Sequence, residues 1–201
     1  AKEVIEVAET VGYEIYGIFA KEQSDTQYPY RGYLEELVEQ KSNFSGVIVA
    51  IGAFNKKTIK ARNNILAFLM SNDIRQISII SPFARIGARA IIGKGVYIAH
   101  NVVIAIDANI GDAVLINTGA LIGHNVIVSS NSSIGSRVFI GGGTIIEKNV
   151  KIREDVNPNN SRISVFTIYL SDLVYWVGFV TGITFKTHLS NTSIIVSFYP
   201  F

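Results

Sequence analysis

The chain carries three histidines in 201 residues. One of them, His124, stands in GALIGHNVIV, residues 119–128, with no acidic side chain beside it. Imidazole exchanges protons near neutral pH, so a histidine held in place can take a proton from an attacking amine or hydroxyl. An oxyanion formed in such a step needs fixed donors, and the run Gly141, Gly142, Gly143 offers backbone N–H groups of that kind. A lone histidine among aliphatic residues is also what an exposed corner of a β structure carries, and residue type alone does not choose between the two.

The elements that would position this histidine are legible as a period. Ile80, Ile86, Ile92, Ile98, Ile104, Ile110, Ile116, Ile122, Val128, Ile134, Ile140, Ile146 and Ile152 stand six apart without a break. The next position is mostly small, as in Gly87, Gly93, Ala99, Ala105, Gly111, Gly123 and Gly135. Four residues after each aliphatic comes another small or β-branched residue, such as Ala90, Val96, Val102, Val114 or Val126. A period of six fits neither a 3.6-residue helix nor a hairpin meander. It predicts short strands joined by tight corners, stacked as a parallel β-helix over residues 80–153, with the small residue letting the chain bend.

Residues 1–79 follow a different pattern. AKEVIEVAETVG places Val4, Ala8 and Val11 on one helical face and stops at Gly12. YEIYGIF and SGVIVAIG read as strands, the second buried on both faces, while YLEELVEQ and KKTIKARNNILAFLM read as helices. The alternation predicts an α/β, Rossmann-like domain whose first strand is missing, so that the sequence reads as N-terminally truncated.

Hydrophobic residues make up 48% of the chain and charged residues 17%, which excludes a disordered protein. A net charge of +2 gives no basis for nucleic acid as a partner. Without cysteine there is no disulfide framework, thiolate zinc site or cysteine nucleophile, and no secretory signal is evident. We expect a cytoplasmic protein.

The hexads of residues 80–153 resemble those of the hexapeptide-repeat acyltransferases, whose left-handed parallel β-helix takes three hexads per coil. With the α/β segment ahead of them, AKEVIEVAE, GYEIYGIF, VIVAIG, SPFARIG and LINTGALIGHNV are similar to the NeuD/PglD-type sugar O- or N-acetyltransferases over residues 1–153. The resemblance implies an acetyl-CoA-dependent transferase of bacterial surface-glycan synthesis, acting on a nucleotide-linked amino sugar or a sialic acid, with no metal. It implies a homotrimer that binds acetyl-CoA between subunits. His124 aligns with the general base and Asn125 with its partner; Ser133, Gly142 and Glu154 fall at acetyl-CoA positions, and Gly52 and Asn117 at substrate positions. The family has a carboxylate where this chain has Asn125, a second histidine at Ser133, and an acidic pair at Ala20 and Lys21. His100 and His188 have no counterpart. The alternative from another class is a catalytically silent β-helical trimer serving as scaffold or binding module.

After Ile152 the period would fall on Pro158 and Ser164, so the register is lost. Residues 154–201 are therefore a tail of unassigned structure. Its stretch 163–183 is long and apolar enough to span a bilayer. Asp172 near its middle opposes insertion by about 2.5–3.5 kcal/mol. We expect no membrane association unless that stretch inserts.

Overall fold

The computed structural model describes residues 2–23, 27–52, 55–153 and 162–163. From Ile79 to Ile152 the chain winds as a parallel β-solenoid of two-residue strands joined by four-residue corners. The strands lie on three faces. Face one stacks Ile79–Ile80, Tyr97–Ile98, Leu115–Ile116, Ser133–Ile134 and Lys151–Ile152. Face two stacks Arg85–Ile86, Val103–Ile104, Leu121–Ile122 and Phe139–Ile140. Face three stacks Ile91–Ile92, Asn109–Ile110, Ile127–Val128, Ile145–Ile146 and Arg162–Ile163.

One coil is three hexads, so Ile79 pairs with Tyr97 and Ile134 with Ile152. The last pair departs from this. Ile145 meets Arg162 and Ile146 meets Ile163, one residue short of the 18-residue step, so a further strand forms inside the stretch whose six-residue register is lost.

Each aliphatic of the period is the second residue of its strand and points inward. From Ile98 to Ile152 every one of them is fully buried; those from Ile98 to Ile134 have a paired coil on both sides. Ile86 is 36% exposed because the first coil has a neighbour on one side only. Each buried aliphatic contributes roughly 1.5–3 kcal/mol, so the ladder of them is the core.

The corners work differently from the sequence expectation. The bend lies three residues after the inward aliphatic: Arg89, Gly95, Asn101, Asp107, Ala113, Gly119, Asn125, Asn131, Arg137, Gly143 and Asn149 all have φ between 55° and 71°. Glycine, asparagine and aspartate dominate there because they tolerate left-handed backbone. The small residue directly after the aliphatic instead lets coils approach. A Cβ on Gly87 would lie 2.6 Å from the backbone carbon of Ala105 in the next coil.

The N-terminal part packs on face one. Helix α1, Lys2–Thr10, buries Val4, Val7 and Ala8, while Val11 is left 37% exposed. Gly12 takes φ +88° and ends the helix in a Schellman motif, with Gly12 N–H on Glu9 O and Tyr13 N–H on Ala8 O. Helix α2 spans Leu34–Glu39. Helix α3, Lys56–Ser71, opens on a capping box between Asn55 and Thr58. Segment 47–51 is apolar on both sides, as expected: Ile48 and Ala50 pack with the solenoid core, Val47 and Val49 with Leu37, Leu69 and Ile74.

The expected sheet of the α/β part is reduced to two isolated parallel bridges, Ile18 with Tyr30 and Val47 with Gln76. Each extended segment pairs locally, Ile18 with 29–31 and Val47 with 75–77, and the two do not pair with each other. Among the described residues the arrangement is therefore three α-helices, a short 3-10 helix at Lys41–Asn43 and extended segments against the solenoid.

Two substitutions separate the roles of the corner positions. Ala113→Gly relieves left-handed strain of about 1–2 kcal/mol, partly offset by unfolded-chain entropy, and should raise the melting temperature. Gly87→Ala drives a methyl into the next coil's backbone and should lower stability by about 1–3 kcal/mol. Thermal melts followed by circular dichroism read both, and equal signs would contradict the assignment.

Candidate functional site

His124 lies on the corner between faces two and three, two residues after the inward Ile122. The neighbouring coils bring Ile106 and Asp107 below it and Gly142 and Gly143 above it. The stack is tied by Asn125 N–H to Ile106 O at 3.3 Å and by Gly143 N–H to His124 O at 2.9 Å. The imidazole is exposed.

Its Nδ1 lies 3.0 Å from Asn125 Oδ1. With that oxygen as acceptor, Nδ1 carries the proton and Nε2 keeps its lone pair. Asn125 is itself a left-handed corner residue, φ 57°, so its residue type has a backbone reason as well as this contact.

Two glycines shape the space around Nε2. A Cβ on Gly142 would lie 2.6 Å from His124 Nε2, and a Cβ on Gly123 would lie 2.7 Å from Gly142 N. Neither position has room for a methyl group, and Gly142 N–H has no acceptor among the described residues. A base and a free amide donor therefore share one corner. Gly123 was not among the sequence candidates; its signal was the glycine directly before the histidine at the close-approach position.

Lower on the same corner, Asp107 one coil down and Arg89 two coils down form a two-pronged pair at 2.7 and 2.8 Å. The Arg89 hydrogen bond holds the Asp107 carboxyl below its usual range, and Asp107 raises the guanidinium. This carboxylate is already partnered.

The other sequence candidates lie elsewhere. Ser133 sits in a face-one strand, buried, paired with Leu115 and Lys151. Asn117 follows the Leu115–Ile116 strand, and its side-chain amide donates to Ile134 O at 2.9 Å, which ties two coils together. Gly52 ends segment 47–51 on the N-terminal part. Lys21 is exposed, with its ammonium 5.9 Å from the centre of the Tyr33 ring, and Ala20 O accepts from Tyr30 hydroxyl at 3.1 Å. Glu154, His188 and all of the 163–183 stretch beyond Ile163 lie outside the described residues. Among the described residues no helix is long and apolar enough to cross a membrane, and no cluster of His, Asp or Glu is arranged to hold a metal ion. A groove of about 370 Å³ between Lys41, Phe44, Asp73 and Arg75 contains none of the candidates.

His100 has a structural task. Its Nδ1 lies 2.6 Å from Ser81 Oγ, its Nε2 2.9 Å from Glu6 Oε2, and its ring meets Phe83 edge-on. The cluster fastens α1 to the first coils. Glu6 and Glu3 also face Tyr97, whose hydroxyl is pushed up by burial first and by these carboxylates second.

No protein-family model matches the sequence, and no curated protein sequence matches it. Solved structures do match in shape. A mutant of perosamine N-acetyltransferase from Caulobacter crescentus, in complex with CoA and GDP-perosamine, aligns with a TM-score of 0.54 at 23% identity, covering 80% of this chain and 87% of that one. The acetyltransferase domain of PglB from Neisseria gonorrhoeae aligns at 0.56 and 21% identity, covering 81% and 85%. WeeI from Acinetobacter baumannii aligns at 0.60 and 15% identity, covering 80% and 90%. The chain shares its fold with these three structures.

Proposed function

We propose that the chain is an acetyl-CoA-dependent sugar N- or O-acetyltransferase of bacterial surface-glycan synthesis, with His124 as general base. The observation that carries this reading is the corner at which an exposed imidazole, its Nδ1 occupied by Asn125, adjoins the unpaired N–H of Gly142. The shared fold supports it: the perosamine enzyme is described with CoA and a nucleotide-linked sugar, and a PglB acetyltransferase domain with acetyl-CoA. The solenoid would be left-handed, as in hexapeptide-repeat enzymes, and the N-terminal part would be a Rossmann-like acceptor domain with Gly52 near the sugar.

In the reaction the acceptor amine or hydroxyl attacks the thioester carbonyl carbon while His124 Nε2 takes its proton. The carbonyl oxygen becomes the oxyanion of a tetrahedral intermediate, and Gly142 N–H donates to it. Collapse breaks the C–S bond, and the proton on Nε2 passes to the departing CoA thiolate. No covalent enzyme intermediate or metal is needed. Asn125 orients the ring without placing a negative charge beside the imidazolium. Ser133, Asn117 and Glu154 remain candidates for contacts to acetyl-CoA or acceptor.

Assembly belongs to the same reading. Val103, Leu121 and Phe139 on face two are each 36–40% exposed, and Ile127 and Ile91 on face three are 42% and 62% exposed. Apolar stripes on two adjacent faces suit a homotrimer whose subunits meet along the solenoid. A second copy would then stand beside the His124 corner, where the two faces join.

The kinetic test is direct. His124→Ala should leave acetyl-CoA affinity intact and lower turnover by about 100- to 10,000-fold; wild-type turnover would make the histidine a corner residue only. Gly142→Ala, which displaces the imidazole and crowds the amide, should lower turnover by about 100-fold or more. Asn125→Asp keeps a residue tolerant of left-handed backbone and adds a charge that favours imidazolium, so the acid limb of the pH–rate profile should move upward. An unmoved limb would show that residue 125 does not act on the base. For assembly, sedimentation of the wild type should give a trimer, and a fully active monomer would contradict the shared corner.

A further inference from the structure

Arg62, on α3, is fully buried, and among the described residues no carboxylate lies within ion-pair distance of it. Burial lowers its guanidinium to about 10, so it stays charged at neutral pH. An unpaired interior charge is disfavoured by several kcal/mol unless its donors are taken up. Here they are taken up by two separate parts of the molecule. Nη1 donates to Val49 O at 2.8 Å and also to Ile51 O. Nε donates to Asn131 Oδ1 at 2.7 Å, and Nη2 to Ala113 O at 2.8 Å.

Val49 and Ile51 are the end of segment 47–51, immediately before Gly52. Ala113 and Asn131 are consecutive left-handed residues of one solenoid corner, φ 55° and 59°. Asn131 extends the link by donating to Asn63 of α3 at 2.9 Å and to Asn149 of the next coil at 2.7 Å. The guanidinium thus joins the carboxyl end of an extended segment to two coils at once.

An apolar side chain of similar volume would seal the joint without burying a charge. It would also let the two parts slide, whereas a planar fork with donors on three sides fixes direction as well as distance. Gly52 follows the carboxyl end of segment 47–51 and is the position that the family resemblance gives to the substrate.

We propose that Arg62 is a positioning residue for the acceptor sugar: it holds the end of segment 47–51, and Gly52 with it, at a fixed distance and angle from the solenoid, without touching the acceptor itself. This rests on the acetyltransferase reading and on Gly52 as an acceptor contact. It explains why a charge is buried at a joint that apolar residues already surround.

Three variants of the full chain test it. Arg62→Met removes the fork, Arg62→Lys keeps the charge and loses the fork, and Asn131→Gly removes one acceptor while tolerating left-handed backbone. Circular dichroism establishes which variants keep the solenoid. Deuterium uptake should rise at residues 47–52 in those that do, with solenoid uptake unchanged. In the same variants kcat/KM for the acceptor should fall by about 10- to 100-fold while the Kd for acetyl-CoA holds, because a small misplacement of a substrate is costly. Arg62→Lys should behave like Arg62→Met, and Asn131→Gly more mildly; should both Arg62 variants fail to fold, Asn131→Gly decides. Unchanged uptake at 47–52 overturns the clamp. Faster uptake with unchanged acceptor kinetics overturns the positioning role. A wild type that transfers acetyl to no sugar sinks the acetyltransferase reading and the acceptor role with it, while the uptake measurement still reports whether the clamp exists.

Discussion

Stacking at a fixed 18-residue step is the constraint on which everything else in this protein depends. Each coil satisfies its strand N–H and C=O groups only through the coils above and below, as when Gly87 N–H reaches Ile104 O and Ala105 N–H reaches Ile122 O. The same step buries Ile104, Ile122 and Ile140 over one another. It also lays His124 between Ile106 and Gly142 and Asn125 between Asp107 and Gly143. The candidate site therefore consists of side chains and amides far apart in sequence, held by a ladder that exists for its own stability.

Two requirements meet at every corner. One residue must accept left-handed backbone, and another must be small enough for the next coil to approach. At most corners these serve packing alone. At the His124 corner they also bring the proposed base and amide donor together: Gly123 lets the next coil close on it, and Gly142, without a Cβ, lets that coil lie against the imidazole. Asn125, favoured by its φ of 57°, holds Nδ1. The proposed site thus falls on positions that the fold already restricts to small or amide-bearing residues.

The solenoid was legible in the sequence because its inward aliphatics obey one short period, and a period survives without any knowledge of long-range contacts. The corner rule was less so. The small residue after each aliphatic suggested the bend, but the bend lies two positions later, at residues such as Arg89 and Arg137 whose types give no hint of positive φ. The helices of the N-terminal part were legible as well, since Gly12 and the apolar spacing are local signals. Its strands were not, because pairing depends on partners that local sequence does not name, and the two extended segments turned to different neighbours. Arg62 was invisible for the same reason: its acceptors, Ile51 and Asn131, are brought together only by folding.

The account stands or falls on acetyl transfer to a sugar. The most direct measurement is CoA thiol release by the wild-type protein at saturating acetyl-CoA, across a panel of amino sugars, nucleotide-linked amino sugars and sialic acid. The account predicts release that depends on at least one of these acceptors and yields its acetylated product. Acetyl-CoA binding with no acceptor-dependent release anywhere in the panel would contradict it.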